Sequence, residues 1–239
     1  MEDAKRKVVV LIGCMIAVGV GCAWAQDWPQ WRGPNRDAKI SGFAAPRTWP
    51  KELTSKWKVP VGLGDATPAL VGPKLYVFAR QGDEEVAMCL NADDGSEIWR
   101  DKHPAPAVTG GPREHSGPRS TPVVADGKVV TLGVAGVLTC LDAATGKVLW
   151  TKDEFPGSWP RFYAAMSPIV VDGLCIAHLG KEGAGAIVAY DLATGDQSWK
   201  WSGGGPTYAS PMLMTLDGAK TLVMHTETRS EERRVGKSV

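Results

Sequence analysis

"CLDAATGKVLW", Cys140–Trp150, is the stretch that decides how this chain is read. Nearly the same string stands earlier as "CLNADDGSEIW" (Cys89–Trp99) and later as "AYDLATGDQSW" (Ala189–Trp199). In each, an Asx residue is followed four positions on by Gly and four beyond that by Trp. The triplets are Asn91–Gly95–Trp99, Asp142–Gly146–Trp150 and Asp191–Gly195–Trp199. Trp99, Trp150 and Trp199 are 51 and 49 residues apart, a spacing that signals a repeat architecture.

Working upstream, each unit starts with Thr or Ser before Pro: "ATPALVGPKLYVF" (Ala66–Phe78), "STPVVADGKVVTL" (Ser120–Leu132), "MSPIVVDGLCIAH" (Met166–His178), with a fourth opening at "ASPMLM" (Ala209–Met214). In the second unit "TPVVA" predicts a strand and Asp126–Gly127 a tight turn, since Gly accepts a positive φ and Asp tolerates it. "KVVTLGV" and "VLTCLD" follow as two more strands, "AATG" as a turn with Gly146 in a left-handed position, and "KVLW" as an outer strand. Four short antiparallel strands in about 45–50 residues describe one propeller blade. The expected fold is therefore all-β: a β-propeller of four-stranded antiparallel blades, with about three complete blades and parts of others. Asn91, Asp142 and Asp191 are expected to accept backbone N–H bonds within the turns. The three tryptophans offer apolar area to the joint between blades. Each Pro sits at a strand start, where a missing N–H is tolerated.

Composition agrees with a packed, water-facing chain. Its 239 residues are 44% hydrophobic with 10 Trp, which excludes a disordered chain, and the net charge of +1 with no basic stripe speaks against nucleic acid as a partner. The four His form no ligand-spaced pair. At the start, "KRK" (Lys5–Lys7), the apolar run Val8–Gly21 and "AWA" (Ala23–Ala25) read as a signal peptide, residues 1–25, cleaved before Gln26. The run is short for a membrane span. Lipid attachment at Cys14 or Cys22 is the rival reading. Export to the periplasm or another extracytoplasmic space follows, with no span in the mature chain. Of the remaining cysteines, Cys89 and Cys140 hold the same place in successive repeats and read as small buried strand residues; with Cys175 the count is odd, so export permits a disulfide but leaves at least one thiol unpaired within the chain.

The "LDxxTGxxxW" unit resembles the tryptophan-docking repeat of pyrroloquinoline quinone (PQQ)-type propellers, a superfamily that includes quinoprotein alcohol dehydrogenases and the non-catalytic assembly lipoprotein BamB. "DWPQWRGPNRD" (Asp27–Asp37), "GPRSTP" (Gly117–Pro122) and "YASP" (Tyr208–Pro211) resemble the exported PQQ-like repeat proteins of planctomycete-type bacteria. The resemblance implies a ring of seven or eight blades, so the sequence reads as an N-terminal fragment of a longer protein. The domain organisation that follows is a signal peptide (1–25), an N-terminal segment (26–59), a partial propeller (60–227) and a tail (228–239). The N-terminal segment includes a lone outer strand within Leu53–Gly62, with Trp57 standing where a repeat Trp would. The tail, "TRSEERRVGKSV", lacks alternation and is set outside the fold as non-native or disordered.

The resemblance permits an enzyme and a scaffold. A quinoprotein needs the quinone, a hard cation on oxygen ligands and a carboxylate base. Family members typically carry adjacent cysteines over the quinone, and none are present here. Asp65, Asp83 and Glu114 lie in loops without calcium-loop spacing. No catalytic, cofactor or metal residue is assigned, and PQQ with calcium belongs to the quinoprotein alternative alone. A third alternative is the sensor propeller of a signalling protein. Arg119, Arg161, Tyr163 and Tyr208 are the candidates for a channel-mouth anion or peptide site, in loops that precede the innermost strands. Bonding of Arg119 and Arg161 to carbonyls between blades is the structural alternative. Trp28 and Trp31 are expected to cover an apolar seam, and the partner is expected to be a protein or a cell-envelope component.

Overall fold

The computed structural model describes residues 26–228 and 230–234. The signal peptide and the lipid-anchor alternatives at Cys14 and Cys22 lie outside the described residues. Three sheets of four antiparallel strands follow one another along the chain, each in sequential order. The first blade is β1 (Ala69–Val71), β2 (Lys74–Gln81), β3 (Glu84–Asn91) and β4 (Glu97–Pro104). The second is β5 (Val123–Ala125), β6 (Lys128–Leu132), β7 (Leu138–Asp142) and β8 (Val148–Lys152). The third is β9 (Ile169–Val171), β10 (Leu174–Lys181), β11 (Ala184–Asp191) and β12 (Gln197–Trp201). A fourth, three-stranded sheet is β13 (Met212–Leu216), β14 (Ala219–His225) and β15 (Ser230–Arg234).

Local chemistry fixes this order. Asp126–Gly127, Asp172–Gly173 and Asp217–Gly218 have positive φ at both residues, the turn whose twist matches a hairpin. The two middle strands of each blade are buried on both faces, so they read as near-continuous apolar runs. The outer strands alternate, as β4 shows with Trp99 inward between exposed neighbours. A bulge recurs just before the Asx turn, at Cys89/Leu90, Cys140/Leu141 and Ala189/Tyr190. Each frees one residue from the ladder and bends the strand into its turn.

The blades join through one repeated contact. Trp99 Nε1 donates to Ala143 O and Trp150 Nε1 to Leu192 O, each at 3.1 Å, and the acceptor is always the residue after the Asx. The indole lies flat on the turn glycine. A Cβ on Gly146 would stand 2.6 Å from the Trp99 ring, and one on Gly195 2.7 Å from Trp150. Both glycines also have φ near +75°, so Gly is required twice over. Around these joints the cores of the second, third and fourth sheets run together, from Val130 and Cys140 through Ile176 and Val188 to Leu222 and Met224. Cys89, Cys140 and Cys175 are buried, free thiols.

Two segments differ from the sequence expectation. Leu53–Gly62 forms no ladder, yet Trp57 docks as the repeat tryptophans do, Nε1 donating to Ala92 O at 3.1 Å beside Gly95. Val59 and Val61 cover the free face of the first blade, over Val77, Val86 and Met88. Side-chain packing, not backbone pairing, holds this segment. Residues 230–234, set outside the fold on sequence, pair along β14 from Ser230↔His225 to Arg234↔Thr221. An open sheet edge pairs with extended backbone whatever its side chains, so apolar alternation is not needed there.

Candidate functional site at the channel mouth

The inner strands β1, β5, β9 and β13 each have one neighbour in their sheet, and β1 touches β5 as β5 touches β9. Their starting ends are tied together by hydroxyls. Ser167 Oγ accepts Thr121 N at 2.9 Å, and Ser210 Oγ accepts Ser167 N at 2.8 Å. Ser167 and Ser210, each standing before a Pro, thus bond to the previous blade, a role the sequence reading of the Thr/Ser-Pro did not include. Above this ring lie the loops of the mouth, with a short 3-10 helix at Gly111–His115.

Three of the four candidates converge on Phe162. Arg119 Nη1 donates to Phe162 O at 2.9 Å and its Nη2 to His115 O at 2.6 Å. Phe162 N donates to Tyr208 Oη at 3.2 Å, and the two rings lie 5.9 Å apart at 52°. The Arg161 guanidinium sits 5.4 Å from the Phe162 centroid, while Arg161 N donates to the Glu182 carboxylate at 2.9 Å. Phe162 is 46% exposed and Tyr208 44%. The fourth candidate turns inward. Tyr163 is buried, at φ +65°, stacked on Trp159 at 5.6 Å, and its hydroxyl accepts from Thr109 N and donates to Ala107 O. It is a strut that joins two loops. Arg119 also fits the structural alternative in part, since one of its two carbonyl partners, Phe162 O, belongs to the loop of the next blade. Arg161 and Tyr208, with Phe162, present the outward surface.

Further anchors occur once each and were not singled out on sequence. Glu85 is buried and accepts Val134 N of the second blade at 2.8 Å. Arg80 donates to Gly82 O, Ala105 O and Pro106 O. His178, buried, lies 3.1 Å from Gly204 O, and burial holds its pKa below the ordinary value. Glu227 accepts Gly205 N and Gly183 N, bonds that hold its carboxyl below the usual range.

The fit of a quinone-bound hard cation can be tested on the loop carboxylates. Asp65 pairs with His115 at 3.1 Å and Glu114 with its neighbour Arg113 at 3.0 Å, each separately. Among the described residues no three His, Cys, Asp or Glu side chains converge. These loop carboxylates do not fit together as a site for the cation. No helix among the described residues is long and apolar enough to cross a membrane.

Similarity to known proteins agrees with the architecture. The family model described as outer membrane protein assembly factor BamB matches residues 24–232. Tetrathionate hydrolase of Acidithiobacillus ferrooxidans is 26% identical over 196 residues, which is 73% of this chain and 38% of that protein. Quinohemoprotein alcohol dehydrogenase of Comamonas testosteroni is 32% identical over 142 residues, 57% of this chain and 19% of that protein. Its crystal structure superposes with a TM-score of 0.60 at 20% identity, over 83% of this chain and 35% of that one. The chain thus spans less than half the length of these relatives. By its blade order, its docked tryptophans and this match, the chain belongs to the PQQ-repeat, BamB-like family of β-propellers.

Proposed function

We propose that this chain belongs to an exported, non-catalytic propeller that binds a protein or cell-envelope partner through the mouth around Phe162. The observation that carries this is the patch itself. Phe162, Tyr208 and Arg161 stand outward on loops whose own polar groups bond to one another, on a frame of packed blades. Aromatic and Arg side chains on a rigid support are the usual anchors of a binding surface. Family membership leaves the chemistry open, because the matched relatives include a hydrolase and a dehydrogenase. The second reading, a PQQ-dependent dehydrogenase, rests on the 32% identity to the quinohemoprotein enzyme.

The test is site-specific photo-crosslinking in the cell envelope. A photoreactive residue at position 162 should give one discrete adduct, which Arg161→Glu abolishes, while the same residue at Leu149, exposed on an outer strand, gives none. Equal labelling from both positions, or none from either, contradicts a partner at the mouth.

A further inference from the structure

The inner edges of the blades are not left to water. Asp27 Oδ1 accepts Gly72 N at 2.8 Å. Trp28 then pairs with Leu70 of β1 in both directions, at 2.7 and 3.0 Å. Pro29 O accepts Val124 N of β5 at 2.8 Å. Further on, Arg36 reaches the start of β9 through Ser167 O and Pro168 O, each at 3.2 Å, and the start of β13 through Pro211 O at 2.8 Å. Residues 27–37 therefore cross the first, second, third and fourth sheets in order, along the edge where inner strands meet.

We propose that this segment is a built-in axial plug and that Arg36 is its latch, so that the chain itself fills the place a ligand contacting every blade would need.

Arg36 suits the role. Its side chain is 1% exposed and bonds four neutral oxygens, the fourth being Gln30 Oε1 at 3.0 Å, with Trp31 stacked 5.1 Å from the guanidinium carbon. Five donors in a fixed fork can reach carbonyls of separate blades at once, which an ammonium on a flexible stem does less well. The coil around it is held in a costly shape. Arg32, Arg36 and Ala38 all have φ near +60°, a conformation that persists in non-glycine residues only where the surroundings enforce it. Local bonds from Gly33 N to Gln30 O and from Ala38 N to Arg32 O close the coil on itself. The plug is independent of what binds near Phe162.

Hydrogen exchange reads the plug directly, because Leu70 N and Val124 N donate to it and not to their own sheets. In Arg36→Gln these two amides should exchange at least tenfold faster, while ladder amides of β7 and β11 keep their protection. Arg36→Lys should restore part of the loss. Unchanged exchange at Leu70 and Val124 would overturn the latch. Equal loss of protection in β7 and β11 would overturn the plug, by showing the segment to be inseparable from the core. Should Arg36→Gln fail to fold, the wild-type chain still decides. In low denaturant Leu70 and Val124 should open before β7 and β11, and simultaneous opening contradicts the proposal.

Discussion

The outer side of the arc and its inner edge are held in different ways. On the outer side one device is used three times: Trp57 on Gly95, Trp99 on Gly146, Trp150 on Gly195, each indole bonding the residue after an Asx. On the inner edge and at the mouth, among the described residues, the contact that repeats is the hydroxyl of the Ser before Pro. Arg36, Glu85, Arg119, Tyr163 and His178 each make a contact that no other blade copies. A repeated contact sets spacing and so defines the fold. A contact made once can be changed without altering the blade, and that is where a repeat protein can place what distinguishes it from its relatives.

The comparison breaks most visibly at the centre of the outer series. Trp150→Ala removes a buried indole and its bond and should cost about 3–5 kcal/mol in urea unfolding. Trp57→Ala, where the tryptophan covers only one segment, should cost about 1–2 kcal/mol. Equal costs would show that the first blade depends on its covering segment as fully as the inner blades depend on one another. Gly146→Ala comes next, at about 2 kcal/mol, because the new Cβ meets the Trp99 ring at an unfavourable φ. Asp142→Ala should be milder, since the turn keeps its glycine and loses the exposed bonds from Ala144 N, Thr145 N and Thr145 Oγ1.

His178 sharpens the comparison through pH. Burial lowers its folded pKa below the ordinary 6.5, so on acidification the unfolded chain takes up the proton first. Stability should be fully present above about pH 6.5 and fall as the pH drops below it. In His178→Gln the urea midpoint between pH 7.5 and 5.5 should flatten, and an unchanged slope would assign the acid sensitivity elsewhere. The smallest effect on stability is expected at the patch. Arg161→Ala should leave the unfolding midpoint in place and weaken only the capture of a partner.

Legibility in the sequence follows the same division. Asp142, Gly146 and Trp150 could be read because three aligned copies show which positions are fixed. Trp57 was legible as a repeat residue, although its segment packs by side chains instead of forming a ladder. Arg119, Arg161 and Tyr208 were found by their place before the inner strands. Their meeting at Phe162 depends on loop conformations that no periodicity encodes. Tyr163 was placed in the right segment but faces inward, because its left-handed backbone turns the ring onto Trp159. Arg36 and the hydroxyls of Ser167 and Ser210 bond to partners far along the chain, and a single sequence carries no sign of such pairs.

The central claim is that this propeller binds a partner and does not carry out quinone chemistry. The most direct measurement is a titration of the protein with PQQ and calcium, following the quinone absorbance and assaying dye reduction over a panel of alcohols and sugars. With residues 27–37 bonded along the inner strands and the loop carboxylates held apart, the account predicts no saturable calcium-dependent binding and no turnover. Tight, calcium-dependent binding with substrate-dependent dye reduction would contradict it.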